Sequence, residues 1–161
     1  MDADVELGNK NTVEEIISTA EKKHLELVVP EIRIHNSGWR DKIFEYFYFM
    51  TAKTKVLGAF GTGMFICIKN DAFRRLGAFN ENLPLGDDWE LTHKIDKKRF
   101  AIVSTPVYTS NRRFTSLGYL STFYMWASVA FSKSYRDKGH REYFQTIDNA
   151  QQNATDLHAI Q

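Results

Sequence analysis

One passage, from Thr12 to Ile34, narrows the folds open to this chain more than any other, because a helical period gives way at once to strand alternation. Thr12 and Glu15 stand three apart in the capping-box pattern. Val13, Ile16, Ile17 and Ala20 recur at i, i+3, i+4 and i+7, the spacing of one apolar helix face. Lys22-Lys23-His24 are cations suited to a helix C-terminus. Leu25 to Ile34 then forms two alternating pieces around Pro30, the pattern of a strand that is interrupted or lies at a sheet edge. A helix followed by a strand at this spacing is expected in an α/β fold.

The remaining punctuation extends that pattern. Asn36-Ser37-Gly38 precedes a second expected helix, in which Trp39, Ile43, Phe47 and Met50 share a face that Phe44, Tyr46, Tyr48 and Phe49 widen. So aromatic a helix is expected to be core, with a substrate wall or partner surface as the alternative. Gly58-Ala59-Phe60-Gly61-Thr62-Gly63 comes before the apolar run Met64–Ile68. Phosphate-binding glycines follow a strand and open a helix, so here a close backbone approach or a plain loop is expected instead. Asn70 is the expected cap of a short helix stopped by Gly77. Phe100–Val103 and Val107–Thr109 read as strands broken by Pro106. Leu117–Phe131 carries no charge and shows two apolar stripes, one of Leu117, Leu120, Tyr124, Ala127 and Phe131 and one of Tyr119, Phe123, Trp126 and Ala130. Such a helix is expected to be buried, or to lie at a partner or membrane interface.

Composition excludes several function classes. At 161 residues the chain is long enough for one domain with a real core. Its net charge of +1 gives no electrostatic pull toward nucleic acid, so no nucleic-acid partner is expected. The single cysteine, Cys67, allows neither a disulfide framework nor a cysteine metal cluster within one chain. The five histidines are scattered without ligand spacing. The first residues are acidic and polar rather than basic and then apolar, so no signal peptide is expected, and no run is long and apolar enough for a spanning helix. The expected location is cytoplasmic, with contact at the inner membrane surface as an option.

The candidate chemistry centres on Leu83–Trp89, where two carboxylates follow a Pro/Gly turn. Asp87 or Asp88 is expected near the start of a helix running through Trp89, Leu91, Thr92 and Ile95 to Lys97-Lys98-Arg99. An ordinary acidic helix start accounts for the pair by itself. Two other polar motifs flank it, Met1-Asp2-Ala3-Asp4 at the start and Arg112-Arg113 after the last strands.

Taken in order, these motifs resemble the second half of family 2 glycosyltransferases, enzymes of the GT-A fold that use nucleotide-diphosphate sugars. The likeness covers roughly residues 1 to 130 and rests on Asp-x-Asp at Asp2 to Asp4, on Gly77-Ala78-Phe79-Asn80-Glu81, on Asp87-Asp88 and on Arg112-Arg113. Ala78 replaces the family's second glycine, Asp87 its glutamate, and Thr109 a frequent histidine ligand. The resemblance implies a partial GT-A domain over residues 1–132, its mixed sheet flanked by helices; residues 133–161 read from their own polar composition as a helical extension, with a helix near 136–147 and a frayed tail. It implies that Asp2 and Asp4 hold Mg²⁺ or Mn²⁺, hard cations that take oxygen ligands. It further implies that Asp88, supported by Asp87, accepts the proton of an acceptor hydroxyl in an inverting transfer. Arg112 and Arg113 would contact the diphosphate; the same pair also reads as a solvated basic turn. The implied partners are a nucleotide-diphosphate sugar and a carbohydrate or lipid-linked acceptor.

In the family, the strands and helices that cradle the nucleotide precede Asp-x-Asp. The expectation is therefore a partial domain, inactive without a separate nucleotide-binding half. A non-catalytic interaction module or a peripheral membrane fragment is the alternative.

Overall fold

A computed structural model describes residues 5–83 and 85–132. Two compact units divide them: residues up to Asn80 together with Asp88–Asn111, and Glu81–Asp87 together with the chain from Arg112 onward. The expected helix at 136–147 and the tail lie outside the described residues.

The first unit is α/β. It runs β1 (Glu6–Leu7), α1 (Thr12–Lys22), β2 (Leu27–Ile34), α2 (Trp39–Thr54), β3 (Cys67–Ile68) and α3 (Asn70–Arg75), then most of α4 (Asp87–His93), a 3₁₀ turn at Lys97–Arg99 and β4 (Phe100–Thr109). The four strands form a mixed sheet in the order β1-β4-β2-β3. β2 and β4 are parallel, whereas β1 on β4 and β3 on β2 are antiparallel. Leu27, Val28 and Val29 are fully buried, as the near-continuous apolar run of a parallel strand covered on both faces requires.

The prolines do not divide their strands. β2 is unbroken, and the two expected pieces around Pro106 are the single strand β4. The irregularity lies in the register: Pro30 faces Val103, but Glu31 faces Pro106, so Ser104 and Thr105 are accommodated on β4 without partners on β2. On its other side β2 is paired to β3 only at Leu27 and Val28. Pro30 lies just beyond that pairing, where a residue with no N–H to donate leaves no ladder bond unmade. Further along, Ile34 N–H donates to Glu45 Oε1 of α2 at 2.7 Å, so a helix side chain satisfies a donor at the strand's end.

Two helices present different faces from those their periodicity suggests. On α1, Ile16 is buried but Val13 and Ile17 are exposed. Thr12 does not cap it; the residue is inside the first turn, and its hydroxyl accepts the Asn9 N–H at 3.1 Å. On α2 the expected core face is the solvent face, with Trp39 69% and Ile43 59% exposed, while Phe44, Tyr48 and Ala52 are buried. The physical reason is carried by Asp41 and Glu45. Both are buried because each accepts a backbone N–H, from Gly38 at 2.8 Å and from Ile34, and those bonds fix the rotation of the helix. In α3 the cap position is Lys69 rather than Asn70, whose side-chain Oδ1 instead accepts from Arg74 Nε. The turn after α3 is the expected one, with Gly77 at φ +93°.

In the second unit, α5 (Arg112–Leu117) and α6 (Tyr119–Phe131) are separated by Gly118 at φ +81°. Phe114 stacks on Tyr119 and meets Trp126 edge to face. Thr122, Met125 and Val129 are the buried stripe of α6, whereas Leu120, Tyr124 and Phe131, assigned together from the sequence, are exposed. Among the described residues no helix is long and apolar enough to cross a membrane.

Candidate functional site

The glycine-rich segment 58–63 is tied down by the helix that carries Asp88. Gly63 N–H donates to Asp88 Oδ2 at 2.7 Å, and Gly61 N–H donates to Thr92 Oγ1 at 3.1 Å. The Thr92 hydroxyl in turn donates to the Asp88 carbonyl oxygen at 2.7 Å, so one turn of α4 holds two points of the loop. Asp88 Oδ1 accepts its neighbour's Trp89 N–H, also at 2.7 Å. A side chain at Gly61 would meet Ile66 Cγ1 at 2.9 Å, and one at Gly58, whose φ is +84°, would meet the His93 ring. The close backbone approach expected for these glycines is what the loop makes against α4.

Beneath that contact lies an aromatic bed. Phe60 touches Tyr48 edge to face, with ring centres 5.6 Å apart, and lies 5.9 Å from Trp89 and 6.1 Å from Phe100. Trp89 stacks on His93 at 5.0 Å. Apolar walls with a few convergent polar groups are the usual make-up of a ligand site.

Two polar atoms in this bed have no hydrogen-bond partner in the protein, Tyr48 Oη and Thr62 Oγ1, and both are buried. Burial pushes the Tyr48 hydroxyl far above its ordinary range; the neighbouring Thr62 hydroxyl opposes that rise, and the charge of Asp88 adds to it. The two hydroxyls are therefore neighbours. Neither was apparent from the sequence, since Tyr48 is one of many aromatics on α2 and Thr62 sits between glycines. Thr92, four residues after Asp88 and so on the same face of α4, is the partner that spacing alone could have suggested.

The other candidates are placed as follows. Asp87 is the first residue of α4 and half-buried, Arg112 is the first residue of α5 and exposed, and Arg113 follows in α5. These three belong to the second unit and Asp88 to the first. Asp2 and Asp4, the expected metal ligands, lie outside the described residues. Among the described residues no group of three or more His, Cys, Asp or Glu side chains is arranged to hold a metal ion.

A second polar cluster is structural. Glu26, buried at the start of β2, accepts from Arg75 of α3 at 2.8 Å and from Arg99 of the 3₁₀ turn at 2.5 Å. Its own backbone N–H donates to Arg99 O and its carbonyl accepts from Lys69 N–H. Burial by itself would raise the Glu26 pKa; the two guanidiniums outweigh it and hold the carboxyl below its ordinary range.

Comparison of the chain with family models, with curated proteins and with solved structures finds no match in any of the three.

Proposed function

We propose that this chain is the acceptor-side half of a GT-A-type sugar transferase of family 2, with Asp88 as the base. The observation that supports the reading is the setting of Asp88. A half-buried carboxylate sits at the first turn of α4, held by the backbone of a glycine loop and floored by Phe60, Trp89 and Tyr48. A general base needs such fixed orientation at the edge of a water-poor surface. The order of motifs, from Asp2 and Asp4 through Asp88 to Arg112 and Arg113, agrees with it.

In the proposed reaction the acceptor oxygen forms a bond to the anomeric carbon while the bond from that carbon to the diphosphate oxygen breaks. The diphosphate leaves with the electron pair, and the acceptor proton passes to the Asp88 carboxylate. Attack from the face opposite the leaving group inverts the anomeric centre. Asp2 and Asp4 have the hard oxygen donors that suit Mg²⁺ or Mn²⁺, and the ion would supply positive charge to the diphosphate. Arg112 and Arg113 would add donors there. The sugar nucleotide itself would be held by a separate nucleotide-binding half, and the whole would work in the cytoplasm on a carbohydrate or lipid-linked acceptor.

The test joins this chain to a nucleotide-binding half and measures nucleoside diphosphate release from a panel of sugar nucleotides. Asp88→Asn is expected to lower acceptor-dependent release by about 10²–10⁴-fold, the usual contribution of a general base. Full activity in that variant, or transfer by this chain alone, would overturn the proposal.

One observation favours a second reading as an interaction module. The solvent face of α2 shows Trp39, Ile43, Tyr46 and Phe47, and α6 shows Leu120, Tyr124 and Phe131. Exposed apolar faces of this kind mark contact with a partner or a membrane surface.

A further inference from the structure

Tyr48 and Thr62 stand out because a buried hydroxyl that meets no partner is costly, and here two of them are neighbours. Their position explains what the protein gains. Thr62 is the residue between the two points at which the loop is tied to α4, Gly61 N–H on Thr92 and Gly63 N–H on Asp88. Whatever fixes Thr62 therefore fixes the direction of the Gly63 N–H, and with it the Asp88 oxygen that receives it. Tyr48 comes from α2, a separate helix, and is wedged by Phe44 and Phe60. It offers a rigid donor from below the loop.

We propose that Tyr48 and Thr62 are positioning residues for Asp88, their neighbouring buried hydroxyls holding the Gly61–Gly63 backbone onto the carboxylate. Tyr48 remains protonated at any ordinary pH and so remains a donor. This role deepens the assignment of Asp88 as base, but it concerns the state of the carboxylate and holds whether or not sugar is transferred.

Among the titratable groups near Asp88, Tyr48 comes from α2, and Asp87, Glu90 and His93 lie beside it along α4 itself. Glu90 accepts from Asn80 at 3.2 Å and pairs with Lys94, and the His93 ring is stacked on Trp89. Of these groups only Tyr48 changes in the variants below, and it stays neutral across the titrated range.

The experiment follows the ¹³C carboxyl signal of Asp88 through a pH titration of the full chain, together with the amide signal of Gly63. In Tyr48→Phe and in Thr62→Val the Gly63 amide is expected to move and the Asp88 midpoint to rise, because the loop's hold on the ionised carboxylate loosens. Thr62→Ser, which keeps the hydroxyl, restores the parent midpoint. A packing role alone would lower stability without moving Asp88. An unchanged midpoint in Tyr48→Phe overturns the proposal; should that variant fail to fold, the Thr62 pair decides it in the same way. Loss of transfer activity with this titration as expected would count against the transferase reading, not against the positioning pair.

Discussion

Replacing Glu26 by Gln keeps the side-chain volume and removes the charge that Arg75 and Arg99 share. A hydrogen bond to a charged group contributes about 1.5–3 kcal/mol net, and breaking a fully buried ion pair costs about 3–5 kcal/mol. Here only the carboxylate is inside; the Arg75 and Arg99 side chains are 55% and 58% exposed, so water takes up their charge when the partner is lost. Gln also retains one carbonyl acceptor. The lower end applies, about 2 kcal/mol, which for a chain of this size lowers Tm by roughly 4–8 °C. The pH dependence has a definite sign. The folded chain holds the Glu26 pKa below its unfolded value, so the unfolded chain binds the proton more readily. The contribution is fully present above the unfolded value of about 4.3 and is lost as pH falls through the lower folded value. Thermal melts of parent and Glu26→Gln across that range are therefore expected to show the full gap near neutrality and a closing gap in acid. A gap of the same size at both ends, or none at neutral pH, would refute the account of the cluster.

The two faces of α2 are expected to respond in opposite ways. Phe44→Ala removes buried surface and should cost about 3–5 kcal/mol in denaturant melts, whereas Phe47→Ala on the solvent face should stay within about 1 kcal/mol. Equal costs would mean that the helix is rotated from the orientation fixed by Asp41 and Glu45. Glycine replacements should separate by what the new methyl meets. At Gly8 a Cβ would lie 2.4 Å from Pro106 O, a backbone atom, so Gly8→Ala is expected to disturb the β1–β4 pairing and lower Tm more than Gly61→Ala. For Gly61→Ala, where the near atom is an Ile66 side-chain carbon, the expected cost is about 1–2 kcal/mol.

The alternation from Leu25 to Ile34 made the central strand legible, and the Gly77 stop made the end of α3 legible, because both depend on local backbone preference. The face of α2 was not legible, because aromatic residues occur all round it and apolar count cannot choose a side. Its orientation follows from Asp41 and Glu45, carboxylates that a pattern reading assigns to solvent and that the fold buries to satisfy Gly38 and Ile34 N–H. Pro30 and Pro106 misled for a related reason. A proline breaks a strand only where its missing N–H faces a partner; Pro30 lies beyond the pairing of β3 with β2, and Pro106 just beyond the pairing of β1 with β4. At the candidate site, Asp87-Asp88 announced a helix start correctly, and the glycines announced a close approach. That each answers the other, through Gly63 and Asp88, is a contact across 25 residues that only the fold reveals.

The same contact bears on whether Asp88 can be both a pin and a base. An ionised carboxylate offers about four lone-pair sites, and the bonds from Gly63 and Trp89 N–H take one on each oxygen. Accepting those bonds fixes the plane of the carboxylate, which is what proton abstraction from a fixed direction needs. The two roles are separable by substitution. Asn at position 88 keeps one oxygen for the Gly63 N–H but puts an NH₂ where the Trp89 N–H donates, and it takes no proton from an acceptor, so a fold kept at somewhat lower stability is expected while acceptor-dependent release falls. Ala at position 88 loses both, and should lower stability by about 0.5–1.5 kcal/mol, the net worth of a hydrogen bond whose exposed Gly63 donor water can take over, as well as abolishing release. If Asn and Ala destabilised equally, the charge rather than the acceptor geometry would hold the loop. If neither changed release in the joined enzyme, Asp88 would be a pin and nothing more.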